Sequence, residues 1–200
     1  MYYETAGNAH GLPHDPFKAL VVPRPIGWIS TRGRDGSHNL APYSFFNAVE
    51  SEPPIVVIGS SGLKDTARNV LDTGEFVCNL ATWDLREQMN QSSAPLRHGV
   101  SEFAHAGLTP APSRLVAAPR VAESPVTMEC VALSVTPISD RDGRQTGSLM
   151  IMGQVVAIHI DDSLIVDGRV DITLARPIAR LGYMDYAVVD RVFTIARPRA

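Results

Sequence analysis

What the chain does without narrows the field first. It has no run of lysine or arginine, and 18 basic against 21 acidic residues leave a formal charge of −3. A nucleic-acid surface is therefore not expected, because gripping a phosphate backbone takes a basic face. No apolar stretch reaches the roughly 18 residues of a membrane span. The amino terminus, MYYETAGNAHGLPHDPF, has no basic region ahead of an apolar core, so no secretory signal is expected. There are only two cysteines, Cys78 and Cys130, each inside an apolar run, FVCNL and MECVAL. Buried free thiols and a reducing cytoplasm follow as the expectation.

The familiar catalytic signatures are missing too. No GxSxG occurs; IGSSGL sets its serines between glycines at the wrong spacing for a nucleophile elbow. Neither GxxxxGK[ST] nor GxGxxG is present. His10, His14, His38, His98, His105 and His159 form no pair at helical metal spacing, and there is no CxxC. The NQS triplet at 90–92 matches a glycosylation sequon, which carries no meaning in a cytoplasmic chain. With acid–base, metal and covalent catalysis lacking a candidate, the chemistry is expected to belong to a bound cofactor.

What is present reads as one domain. The 200 residues, 44% apolar and 20% charged, can bury a core without disulfides. Residues 1–17, rich in Gly, His, Pro and Asn, read as an extended arm, and 18–200 as a single domain. Short β-like runs lie at Ile26–Thr31, Asn39–Phe45, Ile55–Ser60, Glu75–Ala81, Val126–Pro137 and Ser148–Ile160. Turn signals at Arg34-Asp35-Gly36-Ser37 and in SDRDGR mark hairpins. Three short helices are expected: DTARNVLDTG from near Asp65 to Gly74, WDLREQMNQ capped by Asp84 with Glu87 three residues on, and VSEFAHAGL from Ser101 to Gly107. The proline-rich residues 109–125 read as an irregular covering loop. Hairpin-linked strands with few helices predict a mainly β protein, an antiparallel β-barrel with helical insertions.

Two stretches carry unusual polarity. PRPIGWISTRGRDGSHNLAPYSFFN (23–47) places Ser30, Thr31, Asn39, Ser44 and Asn47 where a buried strand favours Val or Leu. Each needs a partner, since a buried unpaired hydroxyl or amide is costly. IGSSGLKDTARN (58–69) ends a strand in Ser60 and Ser61 and then starts a helix beside Lys64. Hydroxyls, a point charge and free amides around Asp65 to Arg68 make an anion site; the plainer alternative is a helix capped by Asp65 with a solvated lysine. Were the two stretches neighbours, Ser30, Thr31, Ser60 and Ser61 would line a phosphate pocket. Trp28, Tyr43, Phe45 and Phe46 would then offer flat surface to an aromatic ring system.

The combination RPIGWIST, DG, NLAPYSFFN, PP, KDTARN and TGEFVCNL resembles the flavin-reductase-like family of FMN-binding split-barrel proteins. These include flavoredoxins and reductase components of two-component monooxygenases. SPVTMEC, GQVVAIHIDD and ARLGYMDYAVV extend the likeness over nearly all the chain after about residue 15. The resemblance implies an antiparallel six-stranded split β-barrel with short helices, a homodimer, and FMN near the subunit interface. Carried over by motif, Ser30 and Thr31 lie near the phosphate and ribityl end. Asn39, Ala41, Pro42, Tyr43, Ser44, Phe45 and Asn47 line the isoalloxazine ring. Ser60, Ser61, Lys64, Thr66 and Asn69 complete the phosphate site. The implied activity is hydride transfer from NAD(P)H to flavin and on to an acceptor or a monooxygenase partner. The residues define no adenine pocket, so FAD stands open beside FMN. Many such reductases carry a histidine at the start of the strand leading into GxVV, where TGSLMIMGQVV has Ser148 and Leu149. That departure keeps an alternative in view, an FMN-binding electron carrier without its own NAD(P)H turnover. His159 reads as a strand cap, while Tyr183 and Tyr186 stay open between packing and approach to a flavin.

Overall fold

Apolar runs punctuated by turn residues become strands in the structure, a computed structural model describing residues 1–97 and 100–198. Seven of them form one antiparallel sheet: β1 (Gly27–Arg32), β2 (His38–Tyr43), β3 (Phe46–Ser51), β4 (Pro54–Ser61), β5 (Glu75–Leu80), β6 (Val126–Ser139) and β7 (Gln145–Ile160). Across the sheet the order is β2-β1-β5-β6-β7-β4-β3. The six strands expected are thus seven. The addition is β3, whose sequence FNAVES is largely exposed and lacks the apolar alternation that reveals a strand.

The order itself dictates the shape. β2 and β3 hold opposite edges of the sheet, yet only Ser44 and Phe45 separate them in the chain. Two linking residues can bridge no more than about 11 Å, so the sheet must curl until its edges approach. At that corner the Gly59 amide of β4 donates to the Phe45 carbonyl at 2.7 Å. A Cβ on Gly59 would lie 3.0 Å from that of Phe45, so glycine permits the close approach. The edge strands are not paired with each other, which leaves a seam.

β1 is buried on both faces, and two cores form on either side of it. Ile29 points into the curl with Tyr43, Ile58, Phe76, Cys78, Cys130 and Ile151. Helix α1 (Asp65–Thr73) adds Ala67 and Val70 to the same core and ends at Gly74 in the left-handed conformation. Trp28 points the other way, into a second core with Leu40, Met89, Phe103, Val121 and Ile178. That core lies beneath α2 (Arg86–Gln91) and α3 (Glu102–Ala106). Helix α2 starts one residue later than its capping-box spacing suggests. Leu85 holds the N-cap position, and Asp84 instead lies 3.9 Å from Arg176.

Residues 109–125 cover the sheet as a loop with one short strand pair, Pro110–Ala111 with Arg120–Val121. The sheet holds it by side chains. Glu129 accepts from the amides of Arg114, Leu115 and Val116, Glu75 from Ala117, and Asn79 from Val121. Ser30 Oγ donates to the Pro119 carbonyl and accepts from Asn79 Nδ2. Both cysteines are buried free thiols. No helix among the described residues is long and apolar enough to cross a membrane.

Candidate functional site

Where β2, the seam and the start of α1 meet, a groove of about 720 Å³ opens. Its volume lies within the roughly 300–1,000 Å³ typical of ligand and cofactor sites. Nine residues singled out in the sequence line it: Asn39, Ala41, Pro42, Tyr43, Ser44, Phe45, Ser61, Lys64 and Thr66. Two stretches with some fifteen residues between them therefore do converge, because the Ser44–Phe45 corner brings β2 against the end of β4 and α1 follows β4 directly.

Six of the fifteen sequence-predicted residues lie elsewhere. Trp28 is fully buried in the second core, and its indole N–H donates to Ser92 Oγ at 2.8 Å. It offers no ring face to the groove. Ser30 is equally buried, its hydroxyl bonded to the Pro119 carbonyl of the covering loop and to Asn79 of β5, and it does not line the groove. Thr31 Oγ1 accepts from Asn39 Nδ2 at 3.2 Å and Asn69 Nδ2 at 3.0 Å. The Asn39 amide also donates to Thr66 Oγ1 at 2.9 Å. Thr31 and Asn69 thus form a shell behind the groove that fixes Asn39 and Thr66 at its wall. Ser60 is buried and donates to the Gly62 carbonyl. Asn47 lies exposed on the edge strand, where its side chain accepts from the Ala48 amide.

Other lining residues gave no signal in the sequence. Ser92–Leu96, read there only for its NQS triplet, forms a wall, and Lys18 and Glu102 add charge. A hydrophilic Ser-Ser-Ala-Pro stretch just after a helix is a turn signal, the one clue available. Glu102 is 9% exposed, and its Oε2 accepts from the free edge amide of Leu40 at 3.0 Å. Burial pushes this carboxyl up, against the pull of that amide.

Three features mark the groove as unfinished. The Tyr43 hydroxyl is buried beside Thr66 and Ser60 yet makes no hydrogen bond of ordinary geometry. Burial raises its pKa. At the start of α1, Lys64 takes the N-cap position in extended conformation and no side chain caps the helix. Asp65, the alternative cap, is the first helical residue instead. Among the described residues, neither Ser61 Oγ nor Lys64 Nζ has a hydrogen-bond or ion-pair partner. An uncapped helix start with a lysine and a hydroxyl suits an anion.

A family model for the flavin reductase like domain matches residues 19–173. The chain belongs to that family. Among curated relatives, an uncharacterised protein of Aquifex aeolicus is 42% identical over 169 residues, covering 82% of this chain and 83% of its own. Nitrilotriacetate monooxygenase component B from Bacillus cereus superposes with a TM-score of 0.87 at 29% identity over 98% of each chain. The 2-nitrobenzoate 2-nitroreductase of Pseudomonas fluorescens gives 0.86 at 27% identity, over 99% of this chain and 96% of that one.

Within this flavin-reductase-like chain the remaining expectations find definite places. His159 pairs with Glu129 through Nε2, away from the groove. Ser148, at the start of the strand that leads into GQVV, lies opposite Ser61 in the β4–β7 ladder, next to the groove wall. Tyr183 and Tyr186 line a neighbouring hollow rather than the groove. His98 lies outside the described residues. No cluster of three or more metal-ligating side chains occurs among those described.

Proposed function

We propose that the chain is an FMN-binding oxidoreductase that takes hydride from NAD(P)H, with FMN held in the groove between β2, β4 and α1. One observation carries this reading: in a flavin-reductase-like chain, Ser61 and Lys64, neither with a side-chain partner among the described residues, lie beside a helix start that no side chain caps, at one end of a cofactor-sized groove. The groove fits the group, since a phosphate would satisfy that end and the orphaned Tyr43 hydroxyl would gain a polar neighbour. Asn39 to Phe45 would lie along the ring system, largely through backbone groups. Held there, flavin would supply the two-electron chemistry between a nicotinamide donor and an acceptor. The protein's share is to hold Asn39 and Thr66 rigid through Thr31 and Asn69, and to screen the groove from water with Phe45 and residues 92–96.

The acceptor is a monooxygenase component or a small molecule, in line with what the two similar structures are named for. A homodimer and a cytoplasmic setting belong to the same proposal, the latter supported by two buried free thiols. The test is direct. Protein incubated with FMN and desalted should be yellow at one flavin per chain, and should bleach anaerobically with NADH or NADPH. Colourless protein overturns the reading. Yellow protein that neither nucleotide bleaches leaves an electron carrier instead.

A further inference from the structure

The groove does not end at Pro42 and Ser44. A hollow of about 380 Å³ shares Lys18, Pro42, Ser44 and Ser93 with it. A third, of about 430 Å³, continues from Met89, Arg180 and Tyr186 to Trp83. The middle hollow has a distinct charge. Lys18, Arg24 and Arg180 are in its walls, and no aspartate or glutamate is.

Arg24 is only 6% exposed. Its Nη1 donates to the carbonyls of Lys18 and Val21 at 2.5 and 2.6 Å, and Nη2 to that of Leu181 at 2.8 Å. Nε has no acceptor. Three neutral carbonyls fix the guanidinium but leave its charge uncompensated, and among the described residues no carboxylate pairs with it. A buried cation without an anion is unfavourable, so the arrangement gains from one that arrives with a ligand. Arg180 is similarly held in place. It lies over the Tyr186 ring, 4.5 Å from the centroid, and donates to the Tyr183 carbonyl and the Tyr186 hydroxyl. Lys18 is exposed and makes no hydrogen bond or ion pair through its ammonium among the described residues, although the Asp15 carboxylate lies close enough to feel its charge. The one carboxylate on the outer hollow's wall, Glu87, lies 3.6 Å from Arg86.

We propose that the Lys18–Arg24–Arg180 hollow is a recognition subsite for the phosphate or carboxylate of a second ligand, whose apolar or aromatic body extends toward Trp83. The proposal deepens the flavin reading and rests on it only for what meets the ligand's inner end. A dinucleotide offers pyrophosphate to the subsite and an aromatic acid offers carboxylate; the chemistry recognised is the same.

Calorimetric titration of the FMN-saturated protein with inorganic pyrophosphate, and separately with benzoate, tests this. At least one probe should bind at one equivalent per chain and weaken as salt is raised. Loss of one charge-assisted bond in Arg180→Gln or Lys18→Met should weaken it roughly 10- to 150-fold. FMN affinity should be unchanged in Arg180→Gln, whose circular dichroism should match wild type. Pyrophosphate binding that NADPH abolishes by competition assigns the subsite to the dinucleotide, and benzoate binding alone assigns it to an aromatic acid. No binding of either probe at millimolar concentration overturns the proposal. So does binding that Lys64→Ala removes and Arg180→Gln does not, since the anion would then be in the flavin groove. Should FMN itself fail to bind, the flavin reading falls while the effect of Arg180→Gln on pyrophosphate still decides the subsite.

Discussion

Ser30 and Thr31 are neighbours in β1 and face opposite ways, so two similar hydroxyls serve different partners. Ser30 fastens the covering loop through Pro119 and Asn79. Thr31 gathers the amides of Asn39 and Asn69 behind the groove. Replacing Thr31 with the near-isosteric valine leaves the Asn69 amide without its partner and strips Asn39 of one of two. A buried donor left unsatisfied costs about 1–3 kcal/mol, so Thr31→Val should lower the unfolding free energy by about 2 kcal/mol in a urea titration and loosen FMN as well. An unchanged midpoint would mean that the amides find other acceptors. Lys64 answers to a different test. Lys64→Ala deletes one charge-assisted bond worth roughly 1.5–3 kcal/mol, so FMN should bind about 10- to 150-fold more weakly. Riboflavin, without a phosphate, should bind both proteins alike; equal weakening of the two ligands would move the phosphate away from Lys64. Sequence made the demand for partners at Ser30 and Thr31 legible, but not their direction. The partners lie at Pro119, Asn79 and Asn69, and nothing local announces separations of that size.

Elements were legible where one rule dominated. Asp65–Thr73 and Glu102–Ala106 were expected because Gly74 and Gly107 stop them in left-handed conformations, as the structure has it. Arg86–Gln91 starts late because its end packs: Met89 is buried in the second core, while Asp84 turns outward toward Arg176. Residues 109–125 behave as a covering loop because Glu129 gathers three successive amides. Burial alone would push the Glu129 carboxyl up. The amides of Arg114, Leu115 and Val116 and the His159 ring outweigh burial and hold it down at about 2, against an ordinary 4.5. Between those values the unfolded chain binds the proton and the folded one does not. The stabilisation is therefore complete above pH 4.5 and is lost as pH falls toward 2, about 3 kcal/mol in all at roughly 1.4 kcal/mol per unit. Urea midpoints measured from pH 6 down to 2 should fall steeply below 4.5. In Glu129→Gln that part of the slope should vanish and stability near neutrality should already be lower, because the amide nitrogen cannot accept from the loop. A parallel slope in the variant would place the acid sensitivity elsewhere.

At the scale of the whole molecule, the curled sheet packs cores against both of its faces and still leaves apolar side chains in water. On β6 and β7, Val131, Leu133, Ile138, Met150, Val156, Ile158 and Ile160 are each at least 36% exposed, with Ile158 and Ile160 on the face that carries Met128 and Cys130 and Val131 on the other. These are the two longest strands, and their pairing runs almost their full length. A lone soluble chain seldom shows contiguous apolar patches beyond a few hundred Å², and a stable interface buries roughly 1,200–2,000 Å² in total. A second copy is the occupant expected from the family likeness, and a two-fold contact would set the same strands of each copy against each other. The chain of 21.6 kDa should therefore run as a particle of about 43 kDa, twice 21.6, at micromolar concentration in light scattering. Charging these two strands with Leu133→Asp and Ile158→Asp together should yield the 21.6 kDa species. Both side chains are half exposed and outside the core, so the variant's circular dichroism should keep its β signature. Wild-type protein of monomer mass at that concentration would show that these side chains are left to water or to another partner, and a variant that stays dimeric would move the interface off β6 and β7.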